Sequence, residues 1–303
     1  MADPPRPGTR PPLLDVRNLT KDFTRRRGLF GRAATIRAVD RVSFVVQEGE
    51  TFGLVGESGC GKTTTSRCIL RLVEPTAGEV WYRGENLTAM PAGALRQARR
   101  HVQLVFQDPY SSLNPRMRAG DIIAEPLVIH RVGSRVARRA RVEELLALVG
   151  LDPSHASRYP REFSGGQRQR IAVARALALE PALVIADEPV ASLDASLQAQ
   201  MINLLLDLQA RLRLTYLLIS HDLRLVRHVC NHVAVMYLGR IVEMAAASAL
   251  FASPRHPYTQ ALLSAVPTID PDAAPRRIVF DPQAFDPQAS LREIAEGHWV
   301  ALP

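Results

Sequence analysis

Along the chain, apolar and β-branched residues fall into short runs bounded by polar turn residues, and elsewhere into longer segments where apolar positions recur every three or four residues. The short runs at Leu14–Leu19, Val39–Val46, Thr51–Val55, Val102–Phe106, Ala182–Ala186, Tyr216–Ile219 and His232–Tyr237 predict strands. The longer segments, about Arg138–Val149, Gln167–Ala178 and Leu197–Arg211, predict helices. Strands alternating with helices point to an α/β class with a parallel, wound sheet. Gln47-Glu48-Gly49-Glu50 between two of the runs has turn composition and is compatible with a hairpin or with adjacent strands. Thr24–Arg37 reads as a basic, Gly-containing insertion, and the Pro-rich start, to about Pro12, as a disordered tail. After Ser248, prolines at 254, 257, 267, 271, 275 and 282 suggest a separate appendage.

Composition narrows the class. The chain has 303 residues, and 38 Lys+Arg against 30 Asp+Glu give 38 − 30 = +8, with 47% hydrophobic residues. That is a globular composition, and disorder throughout is excluded. The best candidate for a membrane span, Ile171–Ala186, is broken by Arg175, Glu180 and Pro181, so no spanning helix is expected. The N-terminus, MADPPRPGTRPP, lacks an apolar core for export, which predicts a cytoplasmic chain. Cys60, Cys68 and Cys230 form no C-x-x-C pair, which argues against a disulfide framework or a zinc site. Lys21 and Lys62 are the only lysines, and the arginines cluster at 25–27, 96–100 and 135–141. Those clusters fit a solvated face or a surface for polyanions or anionic lipid.

Candidate chemistry sharpens this further. Gly56-Glu57-Ser58-Gly59-Cys60-Gly61-Lys62-Thr63 fits G-x-x-x-x-G-K-[ST] between an expected strand and a helix beginning near Lys62. Glycines there let backbone N–H groups wrap phosphates, a helix N-terminus adds positive potential, Lys62 reaches the β and γ oxygens, and the Thr63 hydroxyl suits magnesium. A helix N-terminus beside Cys60 would lower that thiol's pKa. Leu183–Asp187 followed by Glu188 is an apolar strand ending in two carboxylates. Asp187 would hold magnesium through a water, and Glu188 would polarise an attacking water. Phe163-Ser164-Gly165-Gly166-Gln167 precedes a helix and offers a second anion site.

With these residues the chain resembles the ATP-binding cassette (ABC) superfamily, whose signature is usually L-S-G-G-Q, with Phe163 here in the leucine's place. The resemblance covers about Leu13–Ser248. It implies a P-loop cassette: a RecA-like wound sheet, an antiparallel β subdomain, and a helical signature subdomain at about 108–175. It also implies that Ser164, Gly165, Gly166 and Gln167 bind the γ-phosphate held by another subunit's loop, in a head-to-tail dimer sandwiching two ATPs. The family's Q-loop glutamine, a magnesium ligand, matches Gln107; its D-loop matches Ser192-Leu193-Asp194; and its switch histidine matches His221. Thr64 falls in the same nucleotide site, and Phe23 sits where the family places an adenine-stacking aromatic.

Two further segments, Gln107–Met117 and His256-Pro257-Tyr258-Thr259-Gln260-Ala261-Leu262-Leu263, are similar to the oligopeptide/dipeptide importer ATPase subfamily, the second lying in its C-terminal extension, here 249–303. That resemblance implies ATP and magnesium as cofactors and Lys62, Glu188 and His221 as catalytic residues. It further implies a second ATPase subunit, identical or paralogous, two transmembrane permease subunits, an indirect solute-binding partner, and a place on the cytoplasmic face of the cell membrane. No cysteine follows Cys230, so no iron–sulfur cluster is carried over. Import of nickel, glutathione or another small solute would use the same chemistry, and a soluble ABC ATPase acting on DNA or ribosomes is the competing class; no nucleic-acid partner is expected.

Overall fold

The computed structural model describes residues 11–26, 33–106, 112–265 and 278–302, so the expected tail up to residue 10, the centre of the basic insertion and Gln107 lie outside the described residues. The chain divides into two compact units, residues 92–216 and the flanking segments on either side.

The flanking unit carries β1 (Leu14–Arg26), β2 (Ala33–Val46), β3 (Thr51–Val55), α1 (Lys62–Ile69), β4 (Ala77–Tyr82) and β5 (Glu85–Asn86). The intervening unit carries α2 (Ala92–Ala98), β6 (Val102–Val105), α3 (Ala119–Ile129), α4 (Arg135–Leu148), α5 (Gly165–Leu177), β7 (Leu183–Asp187) and α6 (Ala195–Leu212). The chain returns along β8 (Thr215–Ser220) to α7 (Leu223–Val229), β9 (His232–Tyr237), β10 (Arg240–Ala246), α8 (Ala247–Ala252), α9 (Pro257–Ser264), β11 (Leu291–Ala295) and β12 (His298–Ala301).

Within the flanking unit, β2-β1-β4-β5 form one sheet, and the second runs in the order β11-β12-β10-β9-β3-β8. β1 pairs antiparallel with both β2 and β4, and β3 pairs parallel with β9. The turn at Gln47–Glu50 therefore closes no hairpin and joins no neighbouring strands, because β2 and β3 belong to different sheets. Both strands are apolar because each buries a face between the layers, where Phe44 and Phe52 stack with centroids 4.9 Å apart. β1 runs well past Leu19 to Arg26, and β2 begins at Ala33, so the flanks of the expected insertion are paired strand. Register shifts after Val16, Leu19 and Lys21 break the alternation that would have revealed this length. Prolines 267, 271 and 275 of the Pro-punctuated segment lie outside the described residues, and beyond them β12 pairs with β10 within the flanking unit.

The intervening unit places β6 parallel to β7 and packs α3, α4 and α5 as a helical group. Arginines on α5 tie this group together: Arg168 Nε donates to the Pro160 carbonyl at 2.7 Å and Arg170 Nη1 to that of Val149 at 2.6 Å. The clusters at 96–100 and 135–141 are used in similar ways. Arg96 donates to Ile129 O and Arg138 to Val132 O, while Arg139 and Arg141 pair with Glu143 and Glu144. Arg96, Arg138, Arg139 and Arg141 are thus bonded to their own chain or to solvated carboxylates. Among the described residues, no helix is long and apolar enough to cross a membrane.

Candidate functional site

The loop between β3 and α1 is built for close contact with phosphate. Gly56, Gly59 and Gly61 all have positive φ, which turns successive backbone groups the same way along the loop. At Gly61, the residue capping α1, φ is 110°, and a Cβ would lie 2.2 Å from the carbonyl oxygen of Ala38. Only glycine fits there. Glu57, Ser58 and Gly59 are exposed, whereas Lys62 is buried and its Nζ donates to the carbonyls of Gly56 at 2.7 Å and Glu57 at 2.8 Å. The ammonium is thus held across the loop beside the first turn of α1. Thr63 and Thr64 follow in that turn, half-buried. The Gly239 N–H donates to Cys60 O at 2.9 Å and fastens the loop to the β9–β10 turn.

Cys60 departs from expectation. The thiol is 6% exposed, and burial raises its pKa, with nearby Lys62 only partly opposing the rise. Desolvation favours the neutral thiol over the thiolate, the opposite of the lowering that the helix N-terminus suggests.

Phe23 lies on β1 opposite Ile36, two residues from the Ala38 carbonyl that abuts Gly61. Its ring is 42% exposed, with Lys21 Nζ 5.0 Å from the centroid, so one edge of this pair of strands offers a flat aromatic surface near the loop. His221 follows β8, which neighbours β3. It is exposed at a tight corner where Ser220 Oγ accepts the Asp222 N–H and Asp222 caps α7.

In the other unit, Asp187 ends β7 and Glu188 follows, 4% and 8% exposed. Glu188 has φ 48°, a left-handed conformation unfavourable for a residue with a side chain, so the backbone leaves the strand direction there. Ser164 caps α5 in a reciprocal box: its Oγ accepts the Gln167 N–H and its own N–H donates to Gln167 Oε1. Gly165 and Gly166 open the helix, and at Gly166 a Cβ would come 3.2 Å from a terminal methyl of Leu197 on α6, so the two elements approach closely there. Asp194 caps α6 by accepting the Leu197 N–H at 2.9 Å, so the two capped helix starts meet. Thr63 in the flanking unit carries a hydroxyl and Asp187 in the other unit a carboxylate, each an oxygen donor of the hard kind magnesium takes.

Sequence reasoning assigned no role to Tyr258, whose hydroxyl oxygen accepts the Glu57 N–H at 3.2 Å. The His-Pro-Tyr-Thr run that contains it was the available signal.

The pattern described as "ABC transporter" matches residues 39–191, and "Oligopeptide/dipeptide transporter, C-terminal region" matches residues 242–287. The chain is 49% identical to the oligopeptide transport ATP-binding protein OppF of Bacillus subtilis, covering 95% of each. It is 50% identical to the glutathione import ATP-binding protein GsiA of Salmonella paratyphi A over 96% of its own length, and spans 49% of that relative. Among solved structures, the dimeric cassette MJ0796 bound to ADP and phosphate matches with TM-score 0.68 and 30% identity, covering 77% of this chain and 98% of that one.

Proposed function

The chain belongs to the ABC transporter family, and we propose that it is the ATP-hydrolysing subunit of an importer whose cargo is a short peptide. The phosphate loop carries the reading: Lys62, one of two lysines in the chain, is buried with its ammonium held against loop carbonyls at the start of α1. In this reading the loop N–H groups and Lys62 bind the β- and γ-phosphates, and Phe23 stacks on adenine. Glu188 orients the attacking water, and His221 stabilises charge developing on the γ-phosphate. Magnesium, held by Thr63, Gln107 and, through water, Asp187, would neutralise phosphate charge. Ser164, Gly165, Gly166, Gln167 and Asp194 would complete the site of a second ATPase subunit.

Peptide is favoured over other cargo by the C-terminal region, where residues 242–287 match the oligopeptide/dipeptide pattern. Glutathione, itself a short peptide, falls inside the same class. Two transmembrane permease subunits would bind the cargo and place this chain at the cytoplasmic membrane face. Reconstitution with the permeases encoded beside it tests the reading. Vesicles should take up labelled peptide only with ATP present, and ATP-dependent uptake of metal ions without peptide would contradict it.

A further inference from the structure

Glu243 on β10 is fully buried and gathers three donors: the N–H of Arg255 at 2.8 Å, the N–H of His256 at 2.9 Å, and His298 Nε2 at 2.7 Å. His256 in turn caps α9, its Nδ1 accepting the Tyr258 N–H at 3.1 Å. The first turn of α9 is thereby fixed to the sheet. Tyr258, 2% exposed, packs its ring against Tyr237 at 4.4 Å and Phe280 at 5.4 Å between centroids. Its hydroxyl then meets the Glu57 N–H at the mouth of the phosphate loop.

That N–H and the Gly56 carbonyl belong to one peptide group. The group is planar, so both ends turn together. One end is bonded to Tyr258 and the other to Lys62 Nζ. Gly56 itself has φ 150°, and a Cβ there would meet the Met236 carbonyl oxygen at 2.2 Å, so the peptide follows a glycine that tolerates rotation sterically barred to other residues. Without the tyrosine hydroxyl nothing in the glycine's own preferences holds this peptide at one angle.

We infer that Tyr258 is a positioning residue of the phosphate loop: by fixing the Gly56–Glu57 peptide it sets where the Lys62 ammonium rests and hence the affinity for ATP. This rests on the loop binding nucleotide, as proposed above. It gives the C-terminal region a direct part in nucleotide binding.

The test is Tyr258→Phe in the full chain, which keeps the ring and removes the acceptor. KM and Kd for ATP should rise about two- to tenfold, the weight of one hydrogen bond, with kcat little changed and a thermal midpoint close to wild type. Tyr258→Ala, losing the packing as well, should lower the midpoint clearly. Wild-type ATP affinity in Tyr258→Phe would overturn the inference. Amide exchange on the wild-type chain gives a second reading that needs no variant: the Glu57 N–H should be protected, and exchange at the unstructured rate would overturn the inference equally. Lys62→Ala run in parallel separates the failures. If it loses ATP binding while Tyr258→Phe does not, only this inference falls; if it binds ATP normally, the nucleotide reading falls as well.

Discussion

Lys62 stands out in the loop, because its ammonium is buried and held by the loop's own backbone carbonyls. Lys62→Ala is expected to lower ATP affinity on the order of a hundredfold in calorimetric titration, with the fold intact by circular dichroism; unchanged affinity would remove the loop from the site. The sequence identified this residue through spacing alone, since G-x-x-x-x-G-K-[ST] is a local pattern. Cys60 shows what such a pattern leaves out. Its neighbours suggest an activated thiol, but its reactivity depends on burial contributed by distant strands. Burial likewise pushes Cys68 up to about 11 and Cys230 up to about 12. At neutral pH the native chain should therefore take up little maleimide, and all three cysteines should react once it is denatured. Rapid stoichiometric labelling of Cys60 in the native chain would contradict its placement.

At the level of elements, the sequence located the strands and helices nearest the motifs best, because the motif residues also mark element ends. Lys62 begins α1 as expected, Asp187 ends β7, and Ser164 caps α5. Strands without such markers were missed or shortened: β1 is interrupted by register shifts, and β4 alternates too weakly to stand out. Glycines separate the two kinds of constraint. Gly61→Ala forces a Cβ into the Ala38 carbonyl and should abolish ATP binding, whereas Gly93, inside α2 with open space around its Cβ position, should gain about 0.5–1 kcal/mol of stability on replacement by alanine. Denaturant midpoints measure the second. The α9 cap supplies a pH dependence. Burial holds His256 below the usual histidine pKa, so its folded form favours the neutral ring: the stability it supports is present above the unfolded pKa of about 6.5 and is lost as pH falls below it. The thermal midpoint should drop as pH falls below about 6.5, and His256→Asn, which keeps a cap acceptor but does not titrate, should flatten that drop. An equal drop in the variant would assign it to other groups.

For the whole molecule, the family and the class of chemistry were legible in the motifs, while the contact of the C-terminal region with the loop shows only in the fold, where β12 pairs with β10 and Tyr258 reaches Glu57. Contacts across some two hundred positions, such as Glu57 to Tyr258, leave no periodic trace in a chain. The positive charge also changes meaning. The arginines at 96–100 and 135–141 are largely committed to carbonyls and carboxylates of their own unit, so a net charge of +8 does not by itself indicate a nucleic-acid partner. In the proposed function the loop and Glu188 hydrolyse ATP within a pair of subunits. Its most direct test loads Glu188→Gln with γ-labelled ATP and follows phosphate release and sedimentation together. Phosphate release should fall by about 10²–10⁴, with ATP retained and the variant sedimenting as a nucleotide-dependent dimer; release at the wild-type rate from a monomer would contradict the account.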